Sequence, residues 1–264
     1  MIDHRLSAAL TVVITALAIL GCNSNSAAPA APANTPISVA ASSPSASATA
    51  STPDDCQNTA YPVVRGATWT YAMSGPLKAR FKRTITTVTA TGFTEKTTYS
   101  TGAASTSQWQ CDDGALMDVF PDTPSTARLH TTSGATAVFR TTETDGITLP
   151  AQIVPGATWN QNLTLEGTEK IADQDVPAQN VVTVNCTGIA TEWVTVPAGR
   201  FQAMRSECAT DEKVTVTVNG AAVPTDIAST STVWYAPGVG MVRTVDVISG
   251  STTVTIELTS YKIP

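Results

Sequence analysis

The side chains best suited to chemistry in this 264-residue chain are its five cysteines and a scatter of carboxylates, because only two histidines occur. Thiols can be acylated, paired by oxidation or used as metal ligands. His4 falls within the leader considered below, which leaves His130, and in Leu129-His130-Thr131-Thr132 that residue reads as an exposed polar strand position rather than a base. Neither Gly-x-Ser-x-Gly nor His-Glu-x-x-His is present, so the nucleophile and base arrangements of common hydrolases have no material. Asp112, Asp113, Asp118 and Asp122 gather around Gly114 and offer oxygen ligands of the kind calcium takes, but without EF-hand spacing. A solvated turn is the simpler reading, and the same discount applies to Asp173 and Asp175. No Cys-x-x-Cys pair exists to suggest zinc. The expectation is a non-enzymatic protein with no catalytic residues, no metal site and no cofactor.

Cys22 stands apart from the other cysteines. Arg5, partly offset by Asp3, precedes an apolar run from Leu6 to Leu20 that is too short for a spanning helix and has the form of an export signal. Its end, Ile19-Leu20-Gly21-Cys22, resembles the bacterial lipobox, in which the cysteine thiol receives a diacylglyceryl group before cleavage. The competing reading is an ordinary secretory signal with a chance cysteine. Acyl chains bury about 0.8 kcal/mol per methylene, so two or three of them hold a domain on a membrane. Asn23 in place of Asp points, by resemblance to envelope lipoproteins, to the outer membrane where a cell has two. From Asn23 to about Pro53 the composition is dominated by Ala, Pro, Ser, Thr and Asn, with no aromatic or charged residue, and cannot form a core. Residues 1–21 are therefore read as a lipoprotein signal peptide and 22–54 as the lipidated cysteine with a disordered tether.

The elements that must position the rest are strands. Val, Thr, Ile and aromatic residues dominate beyond Asp55, and no window shows helical apolar spacing. Alternation marks Thr84 to Val88, Phe93 to Tyr99, Val181 to Thr187, Glu192 to Val196, Phe201 to Glu207, Val214 to Val218, and a closing strand through Val254, Ile256 and Leu258. Turn signals separate them at Ser74-Gly75-Pro76, Asp113-Gly114, Asp145-Gly146, Pro197-Ala198-Gly199, Asn219-Gly220 and Ser249-Gly250. The stretch Trp234-Tyr235-Ala236-Pro237-Gly238-Val239-Gly240 reads as a strand, a tight turn and a close backbone approach. Gly66-Ala67-Thr68-Trp69 recurs as Gly156-Ala157-Thr158-Trp159, so the fold expected is all-β and antiparallel, in two related halves over 55–146 and 147–264. A curled open sheet and a sandwich-like arrangement both satisfy this pattern. Four cysteines allow three pairings. Cys186 and Cys208 flank the Pro197-Ala198-Gly199 turn almost symmetrically, which favours that pair and leaves Cys56 with Cys111.

Three motifs carry a resemblance: Tyr61-Pro62-x-x-x-Gly66-x-x-Trp69-x-Tyr71, then Val194-Thr195-Val196-Pro197-Ala198-Gly199-Arg200-Phe201-x-Ala203-x-Arg205, then Trp234 to Gly240. Their order, over Tyr61 to Tyr261, is similar to that in uncharacterised bacterial envelope lipoproteins of the TapB-like family. The resemblance implies an antiparallel β fold, extracytoplasmic and envelope-bound, akin to the curled sheet of lipoprotein-carrier domains, and brings no catalytic residues. The leading expectation is a lipid-anchored domain that contacts another envelope protein or surface component. A second is a binding module whose concave face, lined by Trp69, Trp159, Trp193 and Trp234, takes a lipid or other apolar ligand. An enzyme using Asp and Ser or Thr ranks last. Lys78, Arg80 and Lys82 alternate on one strand face, with Arg83 opposite; a solvated outer face is the default reading, with an acidic partner or lipid headgroups as the alternatives, and the net charge of −6 argues against nucleic acid.

Overall fold

A computed structural model describes residues 54–76, 78–119, 137–171 and 174–264. The signal segment, Cys22, nearly all of the tether, Asp122, His130 and Asp173 lie outside the described residues. After a single 3-10 turn at Asp54–Cys56 the chain makes β1 (Thr68–Ser74), β2 (Ala79–Thr89), β3 (Gly92–Tyr99), β4 (Ala104–Asp112), β5 (Ala115–Val119) and β6 (Ala137–Gly146). It continues with β7 (Thr158–Ile171), β8 (Gln174–Val196), β9 (Gly199–Val218), β10 (Ala221–Ala236), β11 (Gly240–Ile248) and β12 (Thr252–Lys262). Neighbours are antiparallel, and the order β5-β4-β3-β2-β1-β12-β11-β10-β9-β8-β7-β6 makes one continuous, curled sheet. The strand β6 pairs with β7.

The alternation read from sequence becomes an inside and an outside. On β1, Trp69 and Tyr71 are fully buried while Thr68 and Thr70 turn outward. Asp113-Gly114, Asn219-Gly220 and Ser249-Gly250 have positive φ at both residues, the conformation of tight hairpins that follow the sheet twist. Two pairs of segments merge into single long strands. Val181–Thr187 and Glu192–Val196 both belong to β8, where a bulge between Gly188 and Ala190 absorbs Ile189 and keeps pairing with β9 continuous. The repeated Gly-Ala-Thr-Trp makes the same turn twice. Gly66 N–H donates to Ile85 O (2.8 Å) and Ala67 O accepts from Ile85 (3.0 Å), while Gly156 and Ala157 make the same exchange with Gly188, both at 2.8 Å.

The two ends of the sheet meet. Leu116 of β5 exchanges backbone hydrogen bonds with Leu149, just beyond β6 (2.8 and 3.0 Å). Gln161 Nε2 adds a bond to Asp118 O (3.1 Å), and Thr148 Oγ1 accepts from Asp118 N (2.8 Å). The seam is covered by the segment entering from Cys56: Asn58 Nδ2 donates to both Gly114 O and Pro150 O (2.8 and 2.9 Å). Stitching the edges leaves a nearly closed barrel-like sheet and shields part of the strand edges that invite aggregation. Its concave side is filled by one core containing Tyr61, Trp69, Tyr71, Phe81, Ile85, Phe93, Trp159, Val242 and Leu258. A smaller cluster, Phe139, Leu163, Leu165, Ala178 and Val182, packs the far ends of β6 to β8. Strands, seam and both clusters close within the compact unit Thr49–Pro264, so that unit carries its own fold.

Disulfides join Cys56 to Cys111 and Cys186 to Cys208, with Cα–Cα distances of 5.0 and 4.0 Å. The first ties the seam segment to β4 across 55 residues; the second links directly opposed positions of β8 and β9 across 22. Chain-entropy reasoning assigns about 4 kcal/mol to the longer loop and about 3 kcal/mol to the shorter. Replacing Cys56 and Cys111 by Ala should therefore lower the urea midpoint more than replacing Cys186 and Cys208, and should loosen hydrogen-exchange protection at Gly114 and Leu116 first. The reverse order would mean that the seam segment is held without its disulfide.

Candidate functional site

The four tryptophans proposed to line a concave ligand surface do not share one. Trp69, Trp159 and Trp234 belong to the core, whereas Trp193 is 61% exposed and lies beneath the Arg200 guanidinium at 4.6 Å. Each buried indole already has a partner for its N–H: Val239 O for Trp69 (2.5 Å), Thr148 O for Trp159 (3.1 Å) and Glu192 Oε1 for Trp234 (2.6 Å). The reason is packing: large aromatic rings on the inward rows fill the curled sheet instead of leaving it open. Open hollows of about 790 and 640 Å³ cross β7 to β10 and β6 to β9; only Trp159 among the four tryptophans borders either.

Charges inside this packed side form a group that sequence reading missed. Arg83, on the inward row with Phe81 and Ile85, has its Nε 3.6 Å from Glu95 Oε1, and Glu95 is 4% exposed. The Tyr61 hydroxyl donates to Glu95 Oε2. The Arg83 guanidinium also lies over the rings of Tyr71 (5.6 Å) and Phe81 (5.7 Å), and Tyr71 Oη donates to Met241 O (3.0 Å). Burial, with Glu95 adding to it, raises Tyr61 well above the usual phenol range. Tyr235, nearer Asp246, is pushed up to about 12 by burial. Burial by itself would lower Arg83, but Glu95 and the surrounding tyrosines outweigh it and hold the guanidinium charged.

Asp118 completes the group. It sits on β5 with Leu116 on the inward row, opposite Trp109, and burial followed by the charge of Glu95 pushes its carboxyl up to about 8. Its Oδ1 is shielded and without a hydrogen-bond partner, as is Trp109 Nε1. The sequence placed Asp118 in a solvated turn with Asp112 and Asp113; those two are exposed at the β4–β5 turn, and Asp118 is not. The overlooked signal was alternation: the charges at 83, 95 and 118 fall on the same parity as Phe81, Phe93 and Leu116. Chemically the group favours the protonated form of Asp118 and holds one cation between aromatic rings. Among the described residues, no three His, Cys, Asp or Glu side chains are placed to hold a metal ion.

The outward faces carry opposite charge. Rows of paired residues place Lys262 beside Thr68, Thr68 beside Thr84 and Thr84 beside Lys96; the next rows hold Lys82 between Thr70 and Thr98, and Arg80 beside Ala72. Lys78, Arg80, Lys82, Lys96 and Lys262 are all exposed. Among the described residues none of them enters an ion pair, while Arg83, Arg205, Lys213 and Arg243 each do. Across the sheet, outward Glu166, Glu207, Asp211 and Asp226 make β7 to β10 acidic.

A family profile described as DUF3108-like matches residues 70–246. It is this match, rather than the TapB-like resemblance of three motifs, that supplies a family. No curated protein matches the sequence. Among solved structures, a provisionally described exported protein with a YmcC-like fold from Bacteroides fragilis is 15% identical, with a TM-score of 0.49 over 78% of this chain and 100% of its own. A provisionally described lipoprotein from Parabacteroides distasonis is 14% identical, with a TM-score of 0.49 over 79% of this chain and 100% of its own. The hypothetical lipoprotein YmcC of Escherichia coli is 12% identical, with a TM-score of 0.34 over 80% of this chain and 90% of its own.

Because Asp118 binds its proton more tightly in the folded state, at about 8 against an ordinary value near 4, its contribution is most favourable below pH ~4 and is lost as pH rises towards 8. Asp118→Asn should flatten the fall in melting temperature between pH 5 and pH 9, with the variant the more stable of the two at pH 9. Thermal unfolding across that range checks it, and parallel pH profiles would show that Asp118 is solvated.

Proposed function

This chain belongs to the DUF3108-like family, and on that premise we propose that it is a non-enzymatic, lipid-anchored β domain of the cell envelope that works through surface contact with another envelope component. One observation carries the reading: the concave side of the sheet is filled by the protein's own aromatic side chains, so the groups offered to other molecules lie on its outer faces. The buried group of Arg83, Glu95 and Asp118 belongs to that filled interior and holds its charges among aromatic rings.

Location follows from cysteine chemistry. Two disulfides joining mostly buried cysteines support an oxidising, extracytoplasmic compartment. Gly21-Cys22 after an apolar leader supports lipidation there, with the outer membrane as the destination in a cell that has two. The Ala- and Pro-rich tether supports reach: in a polyproline-like form it would span at most about 100 Å.

Cells expressing the full chain and fed an alkyne fatty acid should incorporate the label, and the protein should fractionate with membranes. Cys22→Ser should lose the label completely and leave the leader uncleaved. Labelling that survives this substitution would overturn the anchor assignment.

A further inference from the structure

We propose that the outward basic face of β12, β1, β2 and β3 is a docking surface for anionic lipid headgroups. Its setting rests on the membrane-anchored reading above; its physical argument stands on the face itself. Four exposed cations, Arg80, Lys82, Lys96 and Lys262, lie on one side of four adjacent strands, and exposed Lys78 immediately precedes β2. Alternate residues of a strand are about 6.6 Å apart and neighbouring strands about 4.8 Å, so the cations form a shallow two-dimensional array rather than a pocket. Between them stand Thr68, Thr70, Thr84 and Thr98, hydroxyl groups able to hydrogen-bond phosphate oxygens. The acid within these rows, Glu257, pairs with Ala72 and has its Oε1 3.8 Å from Arg243 Nε.

Composition chooses between a headgroup layer and an acidic protein. Protein interfaces centre on buried aromatic anchors and are depleted in lysine. These outward rows hold Lys82, Lys96, Lys262 and Arg80 among threonine, serine and alanine, with one acid, Glu257, and no aromatic or large apolar side chain. Anionic bilayers attract such arrays additively, at about fivefold in partitioning per cation near the surface. The acidic face of β7 to β10 turns the same field to advantage, because a net charge of −6 would otherwise repel the chain from the membrane. With its acids gathered on other strands, the domain approaches an anionic surface basic face first.

The test uses the unit Thr49–Pro264, which has no lipid, so its result is independent of whether Cys22 is acylated; acylation is read separately by fatty-acid labelling. Co-sedimentation with vesicles of equal phosphatidylglycerol and phosphatidylcholine at low salt should show binding that disappears at 0.5 M NaCl and is absent with phosphatidylcholine alone. The combination Arg80→Gln, Lys82→Gln and Lys96→Gln should weaken binding about 100-fold while the circular dichroism melt stays unchanged. Lys213→Gln, on the acidic side, should leave binding unaltered. Equal binding to neutral vesicles, equal binding by the triple variant, or no binding at low salt would each overturn the proposal. So would low-salt self-association abolished by the same three substitutions, since the occupant would then be the acidic face of a second copy.

Discussion

The indole of Trp69 is where three distant parts of the chain are forced together. Tyr61 from the seam segment stacks on it at 5.2 Å, its N–H donates to Val239 O in the turn between β10 and β11, and Gly240 leaves room at its edge. A Cβ at position 240 would lie 3.3 Å from the indole nitrogen, so the contact would have to give by a few tenths of an ångström, at a backbone φ of 107° that residues with a Cβ rarely adopt. Tyr61 also contacts Phe93 (6.1 Å) and Trp109 (5.9 Å), so the ring stack continues across β3 and β4. Each contact is worth about 1 kcal/mol beyond burial. Their joint effect is to align the first strand, the last hairpin and the seam, on which closure of the sheet depends.

Closure creates an electrostatic problem inside. Arg83 and Glu95 sit on rows that must face the core, and removing either alone would leave an uncompensated charge there. Tyr61 answers part of that problem by donating to Glu95, and the rings of Tyr71 and Phe81 receive the guanidinium face. The aromatic stack and the ion pair are thus one structure: the tyrosine that stacks on Trp69 also holds Glu95. Asp118, with a shielded oxygen lacking a partner, has its carboxyl pushed towards the neutral form by burial and by the charge of Glu95.

With the interior filled, the exposed charged side chains lie on the outer face of the sheet. The sheet separates its exposed charge, cations on β12 to β3 and acids on β7 to β10, without using it to stabilise the fold; exposed charges of this kind contribute little to stability. Trp193, capped by Arg200 near the β8–β9 turn, is a further exposed aromatic on that surface. A domain held by a lipid at one end and steered by a charged face would have its orientation set by electrostatics rather than by a rigid stalk.

Much of this was legible locally. Period-two alternation identified β2, β3, β9 and β12, residue pairs with glycine marked the tight hairpins, and the symmetric spacing of Cys186 and Cys208 about their turn anticipated opposed positions. Those are properties of neighbours in the chain, set by backbone sterics and side-chain parity. Alternation also carried the inward placement of Arg83, Glu95 and Asp118, but a charge on an apolar row has no visible partner until strands far apart are paired. What tertiary structure alone decided was the order that puts β1 beside β12, the seam that joins β5 to the chain beyond β6, and the filling of the concave side by tryptophans that parity could not distinguish from a ligand surface. Sequence by itself determined an antiparallel β chain with its strands and turns; only long-range pairing, whose partners local sterics do not specify, decided that aromatic side chains fill its interior and that its exposed cations and acids stand on different strands.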